Sequence, residues 1–315
     1  MMILLLTHSG DYYTIDGVEH HLQRRGAEYR RLNTDHFPGH FRLSVGPGGI
    51  CWLEAGDQQL DLTPTTACWA RRLWPGVIPP ELPEACARQS RAFFLEAMGQ
   101  LSRAFWINPL AAGEAAESKI YQLGLAESIG LRVPPTLVTT SATEARPFAE
   151  NFPEGIITKL LLPTVQSMDG HPDFAYTTRV EAEHWQHIEN LRWMPQIFQP
   201  CLQRRREFRV IVVGHDLFIG ALQVENPRLI DWRAAGPEDA LNWSESRFPE
   251  PLRQKILQLM QRLGLVYAAL DFLEVEADQE PYFLEINQAG EWGWLERDLG
   301  LPIAERIARA PVEHR

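Results

Sequence analysis

The sequence predicts an α/β protein that passes into α+β and then mainly β structure. Three observations carry that expectation. The chain opens with an aliphatic run, an amphipathic helix and a second short strand, which is a βαβ start. Its middle alternates short strands with helices. Near the C-terminus, two apolar runs, Val266–Leu273 and Tyr282–Ile286, flank an acidic turn around Ala277–Pro281, the pattern of a β-hairpin.

In the opening unit, Met2–Leu6 is a buried strand by its aliphatic run. The apolar stretch Met1–Leu6 is only six residues long, has no basic start and runs directly into Thr-His-Ser-Gly-Asp, so it reads as a strand and not a signal peptide. Ile15, Val18 and Leu22 give the helix its apolar spacing, with Thr14 or Asp16 as cap, and Gly26 ends it before the strand Ala27–Leu32. The turn holds no GxGxxG, so a dinucleotide site is not indicated. His8, Ser9 and Asp11 lie where a strand's carboxyl end can meet a ligand, but ordinary polar turn chemistry is the preferred reading of them.

Short segments Phe41–Val45, Ile50–Glu54 and Gln59–Leu62, separated by Gly-rich turns, predict a meander. Thr66–Arg72 is a further strand ending in Trp69, Arg71, Arg72 and Trp74. Arginine beside aromatics suits a carboxylate or peptide, or simply packs on tryptophan. Glu84–Arg103 reads as a long helix, Phe105–Asn108 as a strand, and Asn108-Pro109 as a boundary.

The second segment holds a helix Ala115–Ile129 with Lys119, a strand Pro134–Val138, a helix Ala142–Asn151 and a strand Gly155–Leu161 with Lys159. A loop over Leu162–Phe174, a strand Ala175–Arg179 and a helix Glu181–Trp193 follow. His184 and His187 lack the HExxH pattern and read as surface histidines. The third segment has a strand Gln196–Pro200, a hairpin Glu207–Val213 and Leu217–Val224, a polar loop with Asp231-Trp232-Arg233, and a helix Pro249–Leu263 closed by Gly264. The acidic hairpin and short helices complete it. The expected division is 1–109, 110–193 and 194–315.

Composition bounds the function. The chain has 315 residues, 45% hydrophobic and 23% charged, which suits two or three globular domains. Its net charge of −11 argues against general affinity for nucleic acid or anionic membranes. No run reaches membrane-spanning length. Four scattered cysteines without a CxxC pair suggest reduced thiols and a cytoplasmic protein.

Of 30 basic residues only three are lysine: Lys119, Lys159 and Lys255. An arginine-biased chain keeps lysine where a compact ammonium is wanted; Lys255, on an ordinary helix, reads as chance. Lys119 and Lys159 suit phosphate oxygens. The uncharged strand around Pro200 and Leu202 suits an adenine slot, Glu207 a ribose, and Arg209, on the same strand face, a terminal phosphate. Asp271, Glu285 and Asn287 form an all-oxygen set fit for Mg²⁺. The hairpin alone is equally compatible with solvated edge carboxylates.

This order, with the motifs THSGDYYTID at 7–16, RRLNTDHFP at 30–38, WARR at 69–72, FQPCLQRRREFRVIVVG at 198–214, DWR at 231–233, YAALDFLEVE at 267–276 and FLEINQAGEWGWLE at 283–296, resembles the ATP-grasp superfamily. Within it the chain is similar to the microviridin-type peptide ligases, or graspetide synthetases. The resemblance implies an ATP-grasp fold behind an N-terminal Rossmann-like pre-ATP-grasp domain. It implies Lys119 and Lys159 on ATP phosphates, main-chain groups of Pro200 and Leu202 at adenine, Glu207 at ribose, and Asp271, Glu285 and Asn287 on Mg²⁺. Arg209 and Arg233 would neutralise the phosphoryl group or substrate carboxylate. Two departures stand out: the phosphate loop has only Gly170, and Pro200 holds a hinge position often occupied by Glu.

The implied partner is a ribosomal precursor peptide with a leader and a core rich in Thr/Ser and Asp/Glu; a homodimer is left open. The implied reaction is side-chain ester or amide closure through an acyl phosphate. Two alternatives remain at this point: an ATP-grasp ligase joining separate molecules, and a non-catalytic peptide-binding protein.

Overall fold

A computed structural model describes residues 2–49, 51–74, 76–162, 176–226, 230–234, 241–276 and 279–313. The expected phosphate loop with Gly170 and the start of the strand expected at Ala175–Arg179 lie outside the described residues.

The N-terminal unit is built on β1 (Met2–Thr7), α1 (Tyr13–Arg24), β2 (Glu28–Asn33), the antiparallel meander β3 (Arg42–Val45), β4 (Cys51–Ala55) and β5 (Gln58–Asp61), then β6 (Thr65–Ala70), α2 (Glu84–Gly99) and β7 (Phe105–Ile107). Four of these strands form a wholly parallel sheet in the order β2-β1-β6-β7. The chain leaves β1 for one neighbour and later returns to its other side, so a topological switch point lies between β1 and β6. β1 is buried along its whole length, as its unbroken aliphatic run requires. The cap of α1 differs from expectation: Tyr12 occupies the N-cap position without a side-chain cap. Thr14 is instead buried, its hydroxyl tied to Asp11 and Glu291.

The centre contains α3 (Leu110–Ala116), α4 (Lys119–Ser128), β8 (Leu137–Thr139), α5 (Ala142–Glu150), β9 (Ile156–Lys159), β10 (Thr178–Arg179) and β11 (Gln196–Pro200). The single helix expected over Ala115–Ile129 is two helices. Ser118 interrupts it with extended backbone, and its hydroxyl accepts from the Tyr121 N–H, so it caps α4 and sets Lys119 at the first helical position. The helix expected at Glu181–Trp193 is a 3₁₀ segment, His184–Arg192. Both histidines on it are exposed.

The C-terminal part consists of β12 (Arg206–Val213), β13 (Asp216–Gln223), β14 (Trp243–Glu245), α6 (Glu250–Leu263), β15 (Tyr267–Glu274), β16 (Tyr282–Asn287), α7 (Gly293–Leu299) and α8 (Ile303–Glu313). Its sheet is antiparallel, ordered β14-β13-β12-β15-β16. One face carries Phe208, Val210, Val212, Phe272 and Phe283, packed on Leu252, Ile256, Leu259 and Met260 of α6. The opposite face changes character along the strands. Ile211, Val213, Tyr267 and Ala269 share a core with α1, α8 and the N-terminal sheet. Farther along, the same alternation presents Arg209, Glu207 and Asp271. Among the described residues no helix is long and apolar enough to cross a membrane.

Asn108 fastens the two ends of this common core. Its amide nitrogen donates to the carbonyls of Tyr267 (2.8 Å) and Gln288 (3.0 Å), and its oxygen accepts from the N–H groups of Val266 (2.8 Å) and Tyr267 (2.9 Å). The expected boundary residue is therefore a buried and saturated joint.

Candidate active site

Two sheets meet in a cleft lined by Lys159, Pro200, Leu202, Arg204, Glu207 and Leu273, with further apolar walls from Ile157, Ile230 and Leu284. β9, β11 and β12 bring these residues together. Lys159 ends β9 and pairs in register with Ile197, while Gln199 and Pro200 lead from β11 into the cleft wall. Four of the five residues expected at a nucleotide thus line one concavity. Glu207 does not stand as a free acceptor there. It is ion-paired to Arg204, whose side chain is also nearly buried.

Beside the cleft lies a charged row across three strands. Register sets Arg209 of β12 opposite Asp271 of β15, and Asp271 opposite Glu285 of β16. Arg209 reaches Asp271 at 3.2 Å. Lys119 arrives from the start of α4 and ion-pairs Glu285. A β-bulge between Asp271 and Phe272 absorbs Leu284, and this shift lets Phe283 and Glu285 take opposite faces of the sheet. Asn287 lies two residues beyond Glu285 and opposite Ala269; its carboxamide oxygen accepts from the Ala289 N–H at 2.9 Å.

Lys119 therefore sits with the carboxylate row, whereas Lys159 lines the cleft. Glu117 joins Lys119 and Glu285 there. Desolvation first, and then the neighbouring Glu285, push its carboxyl above the ordinary range, against the pull of Lys119 and a hydrogen bond from Gln288. Arg233 belongs to the short 3₁₀ turn Trp232–Ala234, but its side chain lies outside the described residues.

The described oxygen set is two carboxylates and a carboxamide on one strand face, with Lys119 and Arg209 as internal counter-charges. Its chemistry fits a hard divalent cation. Among the described residues, no group of three or more His, Cys, Asp or Glu side chains gathers as a metal site.

Solved structures share this fold over the whole chain. Macrocyclase MdnB from Microcystis aeruginosa MRC is 36% identical over 99% of both chains, with a TM-score of 0.84. The chain belongs to the microviridin-type ATP-grasp macrocyclase family. Macrocyclase MdnC of the same organism, crystallised with precursor peptide MdnA, is 28% identical over 99% of this chain and 100% of its own, with a TM-score of 0.87. A Chryseobacterium gregarium RiPP-associated ATP-grasp ligase, in complex with ADP and a leader and core peptide, shares the fold at 24% identity, with a TM-score of 0.85 over 100% of this chain and 97% of its own. The MvdD pre-ATP grasp domain matches residues 2–114. No curated protein matches the sequence.

In this member of the family the motif residues outside the cleft form a second polar centre. Asp11 accepts from Thr7 at 2.5 Å and pairs with Arg71 Nε at 2.9 Å. Arg71 also reaches Glu291 at 2.5 Å, and Glu291 accepts from the N–H groups of Trp292 and Gly293, both at 3.1 Å. Burial alone would raise the Glu291 carboxyl, but Arg71, Arg72 and those N–H groups hold it at about 2. Two glycines permit the close approach of this loop. A Cβ at Gly290 would fall 2.4 Å from that of Ala269, and one at Gly293 would fall 2.9 Å from Thr14.

Sequence reasoning treated Asp11 as turn chemistry and left Arg71 between ligand binding and packing on tryptophan. It is instead the cation of a buried network joining the first strand's loop to the last sheet's loop. The signal was available in part: polar residues directly after two predicted parallel strands. The pairing with Glu291, 220 residues away from Arg71, was not. The DWR motif has a similar explanation: Trp232 packs on Trp243 and Trp294, and Asp231 is buried and accepts from the Thr177 N–H at 3.3 Å.

Proposed function

We propose that the protein is an ATP-dependent carboxylate–alcohol or carboxylate–amine ligase that closes side-chain rings in a ribosomally made precursor peptide. The observation that carries this is the cleft of Lys159, Pro200, Leu202 and Glu207 adjoining the row Arg209–Asp271–Glu285. The family membership and the precursor peptide crystallised with MdnC support it.

In this reading the apolar cleft takes adenine, with the Pro200 carbonyl as acceptor and Glu207 released from Arg204 to meet ribose hydroxyls. Lys159 and Lys119 contact phosphates. Asp271, Glu285 and Asn287 would hold Mg²⁺, which when bound neutralises phosphate charge. A peptide Asp or Glu carboxylate attacks the γ-phosphorus, ADP leaves, and an acyl phosphate results. A Ser or Thr hydroxyl, or a Lys amine, of the same peptide then attacks the acyl carbon. Phosphate leaves and the attacking group gives up its proton, so each ring costs one ATP and removes the elements of one water. The protein contributes by alignment, charge placement and exclusion of water. Arg209 and Arg233 neutralise the transferred group or the substrate carboxylate.

We further assign residues 1–109 to a pre-ATP-grasp unit, 110–193 to the central subdomain and 194–315 to the subdomain with the oxygen ligands. The peptide carries a leader and a Thr/Ser and Asp/Glu-rich core. The test is calorimetric titration with ATP at millimolar Mg²⁺, followed by mass spectrometry of a peptide encoded beside the gene. Binding and a mass loss of one water per ring are expected. Absence of ATP binding overturns the assignment, and equal turnover of a leaderless core peptide overturns the leader's role.

A further inference from the structure

The carboxyl ends of β1 and β6 flank the topological switch point of the parallel sheet, where open α/β sheets receive ligands. His8 and Asp11 follow β1; Arg71, Arg72 and Trp74 follow β6. The nucleotide cleft uses none of them.

Two buried side chains here have unfilled hydrogen-bonding capacity. His8 is 4% exposed and stacks on Trp74 at 3.6 Å, and among the described residues both its ring nitrogens lack a hydrogen-bond partner. Arg71 is 2% exposed, and its Nη1 likewise has no hydrogen-bond partner among the described residues. Buried donors are almost always satisfied, because an unmet one forfeits its hydration without return. A ligand carrying acceptor oxygens would satisfy both.

Arg72 supplies the accessible charge. Its side chain is 33% exposed, and its ion-pair contact is Glu291 Oε2 at 3.5 Å. That same oxygen is held more closely by Arg71 at 2.5 Å. Glu291 and Asp11 are thus satisfied chiefly by Arg71, hydroxyls and main-chain N–H groups, while the Arg72 fork has donors to spare. The place of this crevice is also defined. The loop bearing Glu291 follows directly from Asn287 at the end of β16, and the Tyr267 phenol on the facing strand donates to its Gly290 carbonyl at 2.6 Å. The crevice therefore adjoins the carboxylate row.

We propose that the crevice between the ends of β1 and β6 is the subsite for an acidic side chain of the peptide substrate, with Arg72 as its carboxylate-binding residue. It rests on the peptide-ligase reading and names where that substrate's charge is met. A planar fork offers two parallel N–H groups to a carboxylate, which an amide cannot accept equally. His8 and Arg71 Nη1 supply the remaining donors, and the His8–Trp74 stack forms a wall.

The test uses full-length, isotope-labelled protein saturated with Mg²⁺ and ADP, titrated with N-acetyl-aspartate amide and with N-acetyl-asparagine amide. Side-chain resonances of His8 and Arg72 are followed by NMR, and the amide spectrum reports the fold of each variant. The aspartate probe should shift both resonances and bind about 10-fold or more tightly than the asparagine probe, the preference expected for a charged hydrogen bond. Arg72→Ala should abolish the preference, and Arg72→Lys should restore part of it. Equal affinity for the two probes, no shift from either, or a preference that survives in folded Arg72→Ala overturns the proposal. ADP titration of the wild-type protein separates the two readings: ADP bound without probe discrimination removes only the subsite, whereas no ADP binding removes the ligase reading beneath it.

Discussion

Arg209 and Asp271 face each other in register on adjacent strands, with nitrogen and carboxylate oxygen 3.2 Å apart. Asp271 in turn faces Glu285, which Lys119 meets from the other side. Two carboxylates side by side are mutually repulsive, and here two cations from different elements hold them together. In the proposed reaction this row would exchange its internal counter-charges for a divalent ion and phosphate.

Glu285→Ala should abolish ring closure while leaving the fold intact, since this side chain is about a quarter exposed and makes no part of either core. Turnover by mass spectrometry and a thermal melt check it. Unchanged turnover would mean that the row is a solvated sheet edge.

Lysine's rarity is testable by exchange. Lys159→Arg should slow single-turnover ADP release by about 10²-fold, the scale of one lost preorganised contact, because a wider guanidinium cannot place a compact charge between phosphate oxygens. Lys255 was expected to be incidental. It instead donates to the Gly130 carbonyl (2.7 Å) and pairs with Glu280 (2.6 Å), joining α6 to the loops beside it. Lys255→Arg should therefore change stability slightly and ADP release hardly at all. Similar ADP release by the two variants would remove the special role of Lys159.

Asn108→Asp tests the buried joint. The carboxylate keeps the shape but presents oxygen to the Tyr267 and Gln288 carbonyls, where an N–H₂ group now donates. A loss of about 2–5 kcal/mol in denaturant unfolding is expected, the range for a broken buried polar network. A loss below about 1 kcal/mol would show that the joint relaxes freely.

Glu291 predicts an acid limb in stability. Its carboxyl is held at about 2 in the folded protein against an ordinary 4.5, so its stabilising contribution is complete above the unfolded value. That contribution falls as pH drops from about 4.5 through 2, where the folded state must also take up the proton. Glu291→Gln should be less stable than wild type at pH 7, and the difference should shrink across that acid window. Urea midpoints at pH 7, 4.5 and 3 measure it; a difference independent of pH would show that Arg71 does not hold the charged form.

Much of this molecule was legible in the amino-acid order. Aliphatic runs and period-2 alternation located β1, β12, β15 and β16 to within a residue or two, because strands buried on one or both faces have little choice of residue. That Lys159, Pro200 and Glu207 gather apart from the Asp271–Glu285 pair was readable in their order along the chain, and the motifs carried the family. Local competition was harder to read: Ser118 split a helix whose apolar spacing looked continuous, since a cap hydroxyl can offset the loss of two helical hydrogen bonds.

Tertiary structure alone decided which charges meet. Arg71 and Glu291, Lys119 and Glu285, and Asn108 with Tyr267 are 220, 166 and 159 residues apart, and nothing in their flanking residues specifies a partner. Their pairing follows from the core shared by the N-terminal sheet, α8 and one end of the last sheet. Once that apolar surface is buried, the polar ends of β1, β6 and β16 are forced together, and groups that lose water must find one another.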